Sequence, residues 1–416
     1  MKTVNVQPLT RVEGHGRVEL SMAGGRLSGV RLLLDESPRL FEGLLLGRSW
    51  QEVPSLVCRI CAICSGVHRV AAASALENAL DLDIPPAARK VRELLLLGGH
   101  IESHALHLFC LTLPDLAGTE SILELLRAGD RRARDGLALK ALGNHIQEVA
   151  GGRVIHPINL EVGGVVRLPP REKLEALLAE LEEWAGRLPS LVEVFSDHRR
   201  YPPATAALGI RVAVDADDFL LSGRSLRFSD GLVIAGDRYM EALAERAVPW
   251  SNAKHSCTNG MPLLAGALAR LENAAGRASA PVLPETAVPG IHANNVAQGV
   301  ELLWALRESR RLVRELLAET ADAAVMASVR PAAGVGTCVI EAPRGLLIHH
   351  YALDDLGRVA AADIVTPTAI NQAVIEAQLF ADLQGVHDEE VLRDRAARIV
   401  RAYDPCISCS VHVMKP

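Results

Sequence analysis

Two Cys-x-x-Cys pairs at opposite ends of the chain constrain its fold more than any other feature of the sequence. Cys61 and Cys64 lie in VCRICAICSGVH, whereas Cys406 and Cys409 lie in DPCISCSVH, close to the C-terminus. One pair leaves most metals short of ligands, but two converging pairs supply four soft thiolate donors. The spacing therefore predicts that the C-terminal segment packs against the start of a helix near Cys64.

Spacing alone leaves three kinds of four-thiolate site open. These are a structural zinc site, an iron–sulfur cluster and a catalytic centre with a less common metal. A disulfide scaffold is not expected, because the thiols are clustered in a large chain rather than spread along a small one. Four cysteines match no ligand spacing and are interpreted as structural thiols: Cys58, Cys110, Cys257 and Cys338.

Length and composition limit the class of protein. The 416 residues are 49% hydrophobic, enough to bury a large core as one domain or two closely packed ones. The net charge of −6 disfavours nucleic acid or an anionic membrane as a partner. The sequence has no run of about twenty uninterrupted apolar residues, and its N-terminus lacks the regions of a signal peptide. We therefore expect a cytoplasmic protein without a membrane span.

The apolar pattern predicts an α+β fold that is mainly helical, with β-rich margins. Residues 1–34 alternate around an Ala-Gly-Gly turn, as in an antiparallel hairpin or meander. Helical periodicity dominates residues 55–330, although residues 231–262 have the pattern of mixed strand and loop. Residues 331–370 return to a β-rich pattern, and residues 371–416 combine C-terminal helices with the ligand motif. The sequence has no internal repeat and no low-complexity linker, so we expect one interwoven domain over residues 1–416.

Five separated segments resemble the large, catalytic subunit of [NiFe]-hydrogenases. They are LTRVEGHGRVE (9–19), RLFEGLLLGR (39–48), RICAICSGVH (59–68), EAPRG (341–345) and DPCISCSVH (404–412). The short chain and the form of its motifs resemble the cytosolic multisubunit group most. A structural zinc site does not need these flanking signatures. The resemblance implies the family's long-helix bundle and reversible heterolytic cleavage of H2 into two protons and two electrons.

The same resemblance implies a nickel–iron centre bound by the four paired cysteines. Cys61 and Cys406 would be terminal nickel ligands, and Cys64 and Cys409 would bridge nickel to an iron that carries CO and CN ligands. Splitting H2 needs a Lewis-acidic metal to polarise the bond and a nearby base to accept the proton. Four thiolates suit both requirements.

Three other residues match catalytic positions of the family. Glu13 matches a proton-relay glutamate, although it could also pair with Arg11 or Arg17 on a strand face. Arg344 matches the arginine above the metals, whose donor fork suits a cyanide nitrogen. Asp404 would orient Arg344, although an aspartate before proline is also an ordinary turn residue.

Supporting roles follow for Thr368, Pro343 and His68. Thr368 would donate to the second cyanide, with helix capping as its alternative. Pro343 would line the iron ligands. His68 would hydrogen-bond a bridging cysteine, with an ordinary buried histidine as its alternative. Three more histidines share one helical stripe: His100, His104 and His107. We expect this stripe to be a packed face near a partner interface rather than a metal trio.

A magnesium site is implied by resemblance alone. Glu42, the backbone carbonyl of Ile364 and His412 match its ligands. Mg²⁺ prefers oxygen ligands and retains several waters, so a histidine nitrogen is no independent reason to expect it.

The chain has no second cysteine cluster that could carry electrons away. An obligate iron–sulfur small subunit is therefore expected as a partner. Further subunits would bind NAD(P) and flavin, or serve a heterodisulfide or deazaflavin system. Only VMKP follows His412, and the family is made with a cleaved C-terminal peptide, so a maturation endopeptidase is another expected partner.

Two alternative functions remain at this point. One is a nickel-free relative of the complex-I type, which the four retained cysteines disfavour. The other is a zinc-stabilised scaffold subunit. Metal analysis distinguishes the three hypotheses, since they predict nickel with iron, no metal, or zinc alone.

Overall fold

Helices make up most of the centre of the molecule. The computed structural model describes residues 2–36, 40–216, 219, 221–277, 279–285, 287–320 and 322–411. Within these residues the α-helices are α1 (Phe41–Leu45), α2 (Val53–Val57), α3 (Ser65–Ala79), α4 (Pro86–Ala105), α5 (Leu113–Ala117), α6 (Ile122–Arg127), α7 (Arg131–Gly151), α8 (Arg171–Val192), α9 (Ala267–Asn273), α10 (Ala293–Ala318), α11 (Pro367–Asp382), α12 (Glu389–Ala402) and α13 (Ile407–Ser410).

The strands form four sheets around these helices. They are β1 (Lys2–Val6), β2 (Gly16–Ala23), β3 (Arg26–Leu34), β4 (Leu160–Glu161), β5 (Gly164–Val165), β6 (Ile210–Asp215), β7 (Ser222–Gly223), β8 (Ser225–Phe228), β9 (Val233–Ala235), β10 (Ala244–Arg246), β11 (His255–Thr258), β12 (Met261–Leu264), β13 (Gly334–Ala342), β14 (Gly345–Leu353) and β15 (Val359–Val365). The strand orders are β1-β2-β3, β10-β11-β12-β6-β8-β9, β15-β14-β13-β7 and β4-β5.

The two predicted β-rich margins are present. Strands β1, β2 and β3 form an antiparallel meander whose second turn consists of Gly24 and Gly25, as the Ala-Gly-Gly pattern predicts. Strands β13, β14 and β15 are antiparallel neighbours, and Pro343 and Arg344 form the two-residue turn between the first two. The EAPRG motif is therefore the tip of a hairpin.

The long helices pack closely enough for their backbones to touch. At Gly143 in α7 an added Cβ would lie 2.4 Å from the backbone nitrogen of Glu102 in α4. Helix α10 packs against both α4 and α8, and α3 packs against β13 and β14. These contacts join the start of α3, where Cys64 lies, to the hairpin that carries Arg344.

Within the part of the chain that the structure describes, one helical run is long and apolar enough to cross a bilayer, judged by length and composition only. It spans Pro86–Ala117 and includes a π-helical segment at Leu106–Thr112. In its most apolar window, 78% of the residues are buried inside the protein. Burial of this kind is typical of a core helix.

The central segment contains more β-structure than its helical periodicity predicts. Six short strands between residues 210 and 264 form the largest sheet. Each has only three to six residues, which is too short for a clear alternation in sequence. The larger cluster of buried apolar side chains includes residues from β1 through α13, and we propose on this basis that the chain is one interwoven unit.

Candidate metal centre

The two Cys-x-x-Cys pairs converge in the structure. The sulfur of Cys406 lies 3.5 Å from that of Cys61, 4.0 Å from that of Cys64 and 3.0 Å from that of Cys409. All four sulfurs lie within 4.8 Å of one another, and all four residues are buried. Among the described residues this is the only group of three or more His, Cys, Asp or Glu side chains whose ligand atoms meet in this way.

Local structure explains the convergence. Cys64 caps the N-terminus of α3, and Cys406 caps that of the four-residue α13. The backbone of Glu13 forms a parallel bridge to Cys406, and its carbonyl accepts a hydrogen bond from the Ile407 amide. Gly14, at a φ of +85°, permits this approach, since a Cβ there would lie 2.6 Å from that of Ile407. The RVEGHG segment therefore holds the C-terminal ligand pair against α3.

The four thiols form one cluster of sulfur–sulfur hydrogen bonds around Cys406. A hydrogen bond from Cys406 is the largest of several that lower the pKa of Cys61 well below its ordinary value. The bond between Cys406 and Cys409 contributes most to raising the pKa of Cys409. Binding of a metal by cysteines requires the thiolate form, so metal binding here would release protons.

Arg344 supplies a buried positive charge beside the cluster. Its Nε donates to Asp404 Oδ1 at 3.0 Å, and both side chains are almost completely buried. Burial opposes the charge, but the negative charges of Asp404 and then Cys406 outweigh it and raise the pKa of Arg344. Removing one member of a buried ion pair costs about 3–5 kcal/mol.

The outer nitrogens of Arg344 point to a missing acceptor. Its Nη1 and Nη2 are buried and have no hydrogen-bond partner in the protein. Buried donors of a charged group are nearly always paired. An acceptor held at the neighbouring thiol cluster would satisfy both, so the residues present fit a metal centre that carries hydrogen-bond-accepting ligands.

Two further predicted residues lie at this site. Pro343 occupies the hairpin turn directly before Arg344. Thr368, in the first turn of α11, accepts a hydrogen bond from the Cys406 amide at 2.8 Å. A threonine hydroxyl that accepts through its oxygen keeps its own hydrogen to donate. The N-cap position of α11 is occupied by Thr366, so Thr368 is not the capping residue.

His68 lies between a cysteine and a second histidine. Its Nε2 is 3.7 Å from the sulfur of Cys409, and its Nδ1 is 3.0 Å from Nε2 of His349. The Nδ1 of His349 lies in turn 2.6 Å from the hydroxyl of Tyr351. This buried chain fixes the orientation of the His68 ring.

The carboxylate of Glu13 contacts Ser408, between the two C-terminal cysteines. Ser408 donates to it from its amide at 3.1 Å and from its hydroxyl at 2.5 Å. The two arginines proposed as alternative partners pair elsewhere, Arg11 with Asp115 and Arg17 with Asp35. Glu13 is thus directed along α13 rather than across the strand face.

The residues that match the magnesium site are only partly described. Glu42 Oε1 accepts a hydrogen bond from the amide of Ile364 at 3.0 Å, and burial raises the pKa of Glu42. The ammonium of Lys254 lies 4.0 Å from the same oxygen. His412 lies outside the described residues.

Comparison with known proteins identifies the family. Residues 39–133 and 266–412 match the family described as nickel-dependent hydrogenase. Residues 3–35 match a second family, described as HoxL-like. The chain belongs to the nickel-dependent hydrogenase family. It is 38% identical over 424 residues to the alpha subunit of sulfhydrogenase 2 of Pyrococcus furiosus, covering 99% of both chains. It is 31% identical to a vhu subunit of the F420-non-reducing hydrogenase of Methanococcus voltae, covering 90% of this chain and 97% of the other.

Solved structures agree on the fold. An NAD+-reducing [NiFe]-hydrogenase in the H2-reduced state matches with a TM-score of 0.87 and 28% identity, covering 99% of this chain and 100% of the other. A Ni-Fe-Se hydrogenase from D. vulgaris Hildenborough matches with a TM-score of 0.81 and 22% identity, covering 99% of this chain and 100% of that one. The predicted α+β fold of the [NiFe]-hydrogenase large subunit is thereby confirmed.

This chain is the large, catalytic subunit of a hydrogenase, an oxidoreductase that acts on H2. Its four-cysteine cluster is compatible with a nickel–iron centre. The prediction of a hydrogenase is confirmed over the nickel-free relative and the zinc scaffold.

Several residues around the hydrogenase site have no motif that identifies them. The three histidines of the predicted stripe are buried inside the chain and contact α10, α12 or their own helical run rather than an exposed face: His100, His104 and His107. The partners of His107 and His104 are Gln298 and Glu301, both buried in α10. A histidine in the largely apolar strand LLIHHYAL, most of which is buried, was the available signal for His349.

Proposed function

We propose that Cys61, Cys64, Cys406 and Cys409 hold the nickel–iron centre at which this subunit cleaves H2. The observation that carries the proposal is the convergence of four buried thiols from the two ends of the chain. When bound, such a centre supplies Lewis-acidic metal that polarises H2 and electron-rich sulfur that stabilises changes of oxidation state. The terminal ligands would be Cys61 and Cys406, and the bridging ligands Cys64 and Cys409.

The residues above the cluster fit CO and CN ligands on the iron. The two unpartnered guanidinium nitrogens of Arg344 would donate to one cyanide. The hydroxyl of Thr368 would donate to the other, since its oxygen already accepts from Cys406. Pro343 adds an apolar wall that leaves the diatomic ligands no competing donor. Asp404 keeps Arg344 turned towards the cluster through its ion pair.

Glu13 would receive the proton released at the sulfur. A hydrogen-bonded path leads from it towards solvent: the Ser408 hydroxyl lies 2.5 Å from Glu13 Oε1 and 3.0 Å from Glu36 Oε2. Glu36 Oε1 lies 3.1 Å from Nδ1 of His15, whose side chain is 91% exposed. A hydroxyl between two carboxyl groups can accept a proton from one while donating its own to the other. The path therefore carries charge from a buried site to water without moving any backbone.

Magnesium would bind where Glu42 and Ile364 meet. The carboxylate of Glu42 and the backbone carbonyl of Ile364 are hard oxygen ligands, and His412 would complete the protein's contribution. Glu42 already contacts the Ile364 amide at 3.0 Å, so the two residues are close enough to share an ion. Lys254 would then compete electrostatically for the same carboxylate.

Electrons would pass to an iron–sulfur small subunit. We assign its docking surface to the loop that includes Ile155 and Ile158, which are 48% and 49% exposed. Between them, the amide of His156 donates to the hydroxyl of Ser65, the residue after Cys64. A partner that covers these two isoleucines would therefore lie one hydrogen bond from the ligand helix.

The final electron acceptor would be a soluble carrier, with NAD(P) first, served by flavin-containing partner subunits. An NAD+-reducing hydrogenase is the structural match at 28% identity, which supports this choice. A heterodisulfide or deazaflavin system is the second choice, because F420-non-reducing hydrogenase subunits are also relatives. A cytoplasmic location suits either carrier. A maturation endopeptidase is a further partner.

Metal analysis with H2-dependent dye reduction tests the centre. Wild-type protein should contain equal amounts of nickel and iron, reduce a viologen dye under H2 and show sharp infrared bands in the triple-bond region. Cys409→Ser should lose activity and full metal occupancy, whereas the control Cys257→Ser, at a half-buried cysteine outside the cluster, should retain both. Zinc alone in active protein, or full activity of Cys409→Ser, would contradict the proposal.

A further inference from the structure

One face of α10 carries three buried polar side chains that the proposed chemistry has not used. Asn294, Gln298 and Glu301 follow i, i+4, i+7 spacing and therefore share a face, and none is more than 5% exposed. A buried polar group without a hydrogen-bond partner destabilises the fold by about 1–3 kcal/mol. The partners of these three side chains therefore show which parts of the protein this face of α10 binds. Asn294 donates to the carbonyl of Ala402 and accepts from the amide of Leu268, which ties the C-terminal segment to α9.

Gln298 contacts the aspartate that pairs with Arg344. Its Nε2 donates to Asp404 Oδ2 at 3.0 Å, while Arg344 Nε donates to the other carboxylate oxygen at 3.0 Å. The Oε1 of Gln298 lies 2.5 Å from Nδ1 of His107. The other ring nitrogen of His107, Nε2, lies 2.7 Å from the carbonyl oxygen of Arg401, so His107 links Gln298 to α12. Gln298 and Arg344 therefore bind the two oxygens of the Asp404 carboxylate, and together they fix its rotation.

Glu301 acts on the backbone that carries Arg344. It accepts two hydrogen bonds of 2.6 Å from Arg270, one from Nε and one from Nη2. Arg270 then donates to the carbonyl oxygens of Ala342 and Pro343, at 3.0 Å each. These are the two residues before Arg344, and a bidentate arginine–carboxylate pair is geometrically specific. The hairpin turn is thereby anchored to the same helix face as Asp404.

We propose that the polar face of α10 positions the guanidinium of Arg344 over the cysteine cluster, with Gln298 and Glu301 as its positioning residues. The inference rests on the proposed role of Arg344 as a donor to ligands of the metal centre. Gln298 acts on the side chain through Asp404, and Glu301 acts on the backbone through Arg270. A planar donor fork is directional, so a small rotation of either anchor weakens both outer hydrogen bonds.

Gln298→Met tests the side-chain anchor because it keeps the length of the side chain and removes both hydrogen bonds. In protein shown to contain nickel and iron, the infrared bands of the metal ligands should shift and H2 oxidation should fall about tenfold, as expected for a lost hydrogen bond to a charged group. The matched control is Gln147→Met. Gln147 is equally buried, and its amide donates to Glu102 at 2.6 Å, so this change should lower stability without shifting the bands.

A double-mutant comparison separates positioning from general destabilisation. Arg344→Lys removes the fork, so adding Gln298→Met to it should shift the bands no further. Unchanged bands in metal-replete Gln298→Met, or equal shifts in both backgrounds, would overturn the inference. If Gln298→Met does not accumulate, Gln298→Asn can replace it, because asparagine has a shorter side chain and its amide cannot reach Asp404 in the same way. This variant should also shift the infrared bands. An unchanged spectrum in Gln298→Asn would likewise overturn the inference. Wild-type protein without nickel or bands would instead contradict the proposed function.

Discussion

At the scale of single residues, the site depends on which buried donors and acceptors the protein leaves for a ligand. The hydroxyl oxygen of Thr368 accepts from the Cys406 amide, and its hydrogen remains to be donated. Arg344 uses one nitrogen for Asp404 and leaves two buried without a partner in the protein. Glu13 contacts Ser408, between the C-terminal ligands, and Ser408 connects it to Glu36 on the side towards solvent.

Glu13→Gln should block proton release while the metal centre still assembles. Glutamine can accept the bond from the Ser408 amide but cannot carry a proton, and general acid–base groups contribute about 10²–10⁴-fold. We expect normal nickel and iron content, with both H2/D2O exchange and dye reduction reduced at least about 100-fold. Glu19→Gln is the control, since Glu19 pairs with Arg17 at 3.5 Å away from the cysteines. Near-normal exchange in Glu13→Gln would show that the proton leaves by another route.

The site residues that could be predicted from the sequence are those that lie in short motifs. The paired cysteines, Arg344 with Asp404, and Glu13 all lie in compact segments and meet in the structure. Gln298 could not be predicted in the same way. The sequence does not distinguish a buried glutamine on a long helix from one that faces solvent. Only the packing of α10 shows that Gln298 binds Asp404.

At the scale of elements, close helix packing depends on glycine. Helices α4 and α7 meet where Gly143 leaves room for the backbone of Glu102. Gly186, in α8, has no atom within 4 Å of an added Cβ. An alanine substitution at Gly186 therefore tests helix propensity alone, whereas the same substitution at Gly143 also tests the packing of α4 against α7.

Gly143→Ala and Gly186→Ala should change stability in opposite directions. Alanine favours a helix over glycine by about 1 kcal/mol, so Gly186→Ala should stabilise the fold by up to that amount. At Gly143 the new methyl group would force two backbones apart, and overpacking costs about 1–3 kcal/mol or more. Chemical denaturation of both variants beside wild type measures the difference. Equal stabilisation by both would mean that α4 and α7 do not touch at this point.

Long elements were predictable, and short ones that pair at a distance were not. Helices α8, α10, α11 and α12 follow clear apolar periodicity. The six-stranded sheet has weak local signals, because its strands are short and β12 pairs in parallel with β6, far away in sequence. Its formation depends on tertiary packing rather than on any pattern within one strand.

At the scale of the whole molecule, the two ends of the chain meet at the cysteine cluster. The ligands at Cys61 and Cys64 follow the first sheet, and those at Cys406 and Cys409 belong to the last helix. A metal centre between them joins the N-terminal and C-terminal thirds by covalent coordination. Binding energy that exists only in the folded state then adds to the stability of the whole fold.

Metal removal should therefore loosen the C-terminal segment first. Helix α13 has only four residues, too few for a helix to persist in water without tertiary contacts. Without metal, its hydrogen bonds to the rest of the protein run from Ile407 and Ser408 to Glu13 and from the preceding Cys406 amide to Thr368. Hydrogen exchange of residues 404–411 should be at least about tenfold slower in metal-loaded protein than in metal-free protein, whereas exchange in strands β6 and β8 should not change. Cys409→Ser should lack the difference, since it cannot complete the cluster. Equal exchange at residues 404–411 with and without metal would mean that backbone contacts alone hold the C-terminal ligands in position.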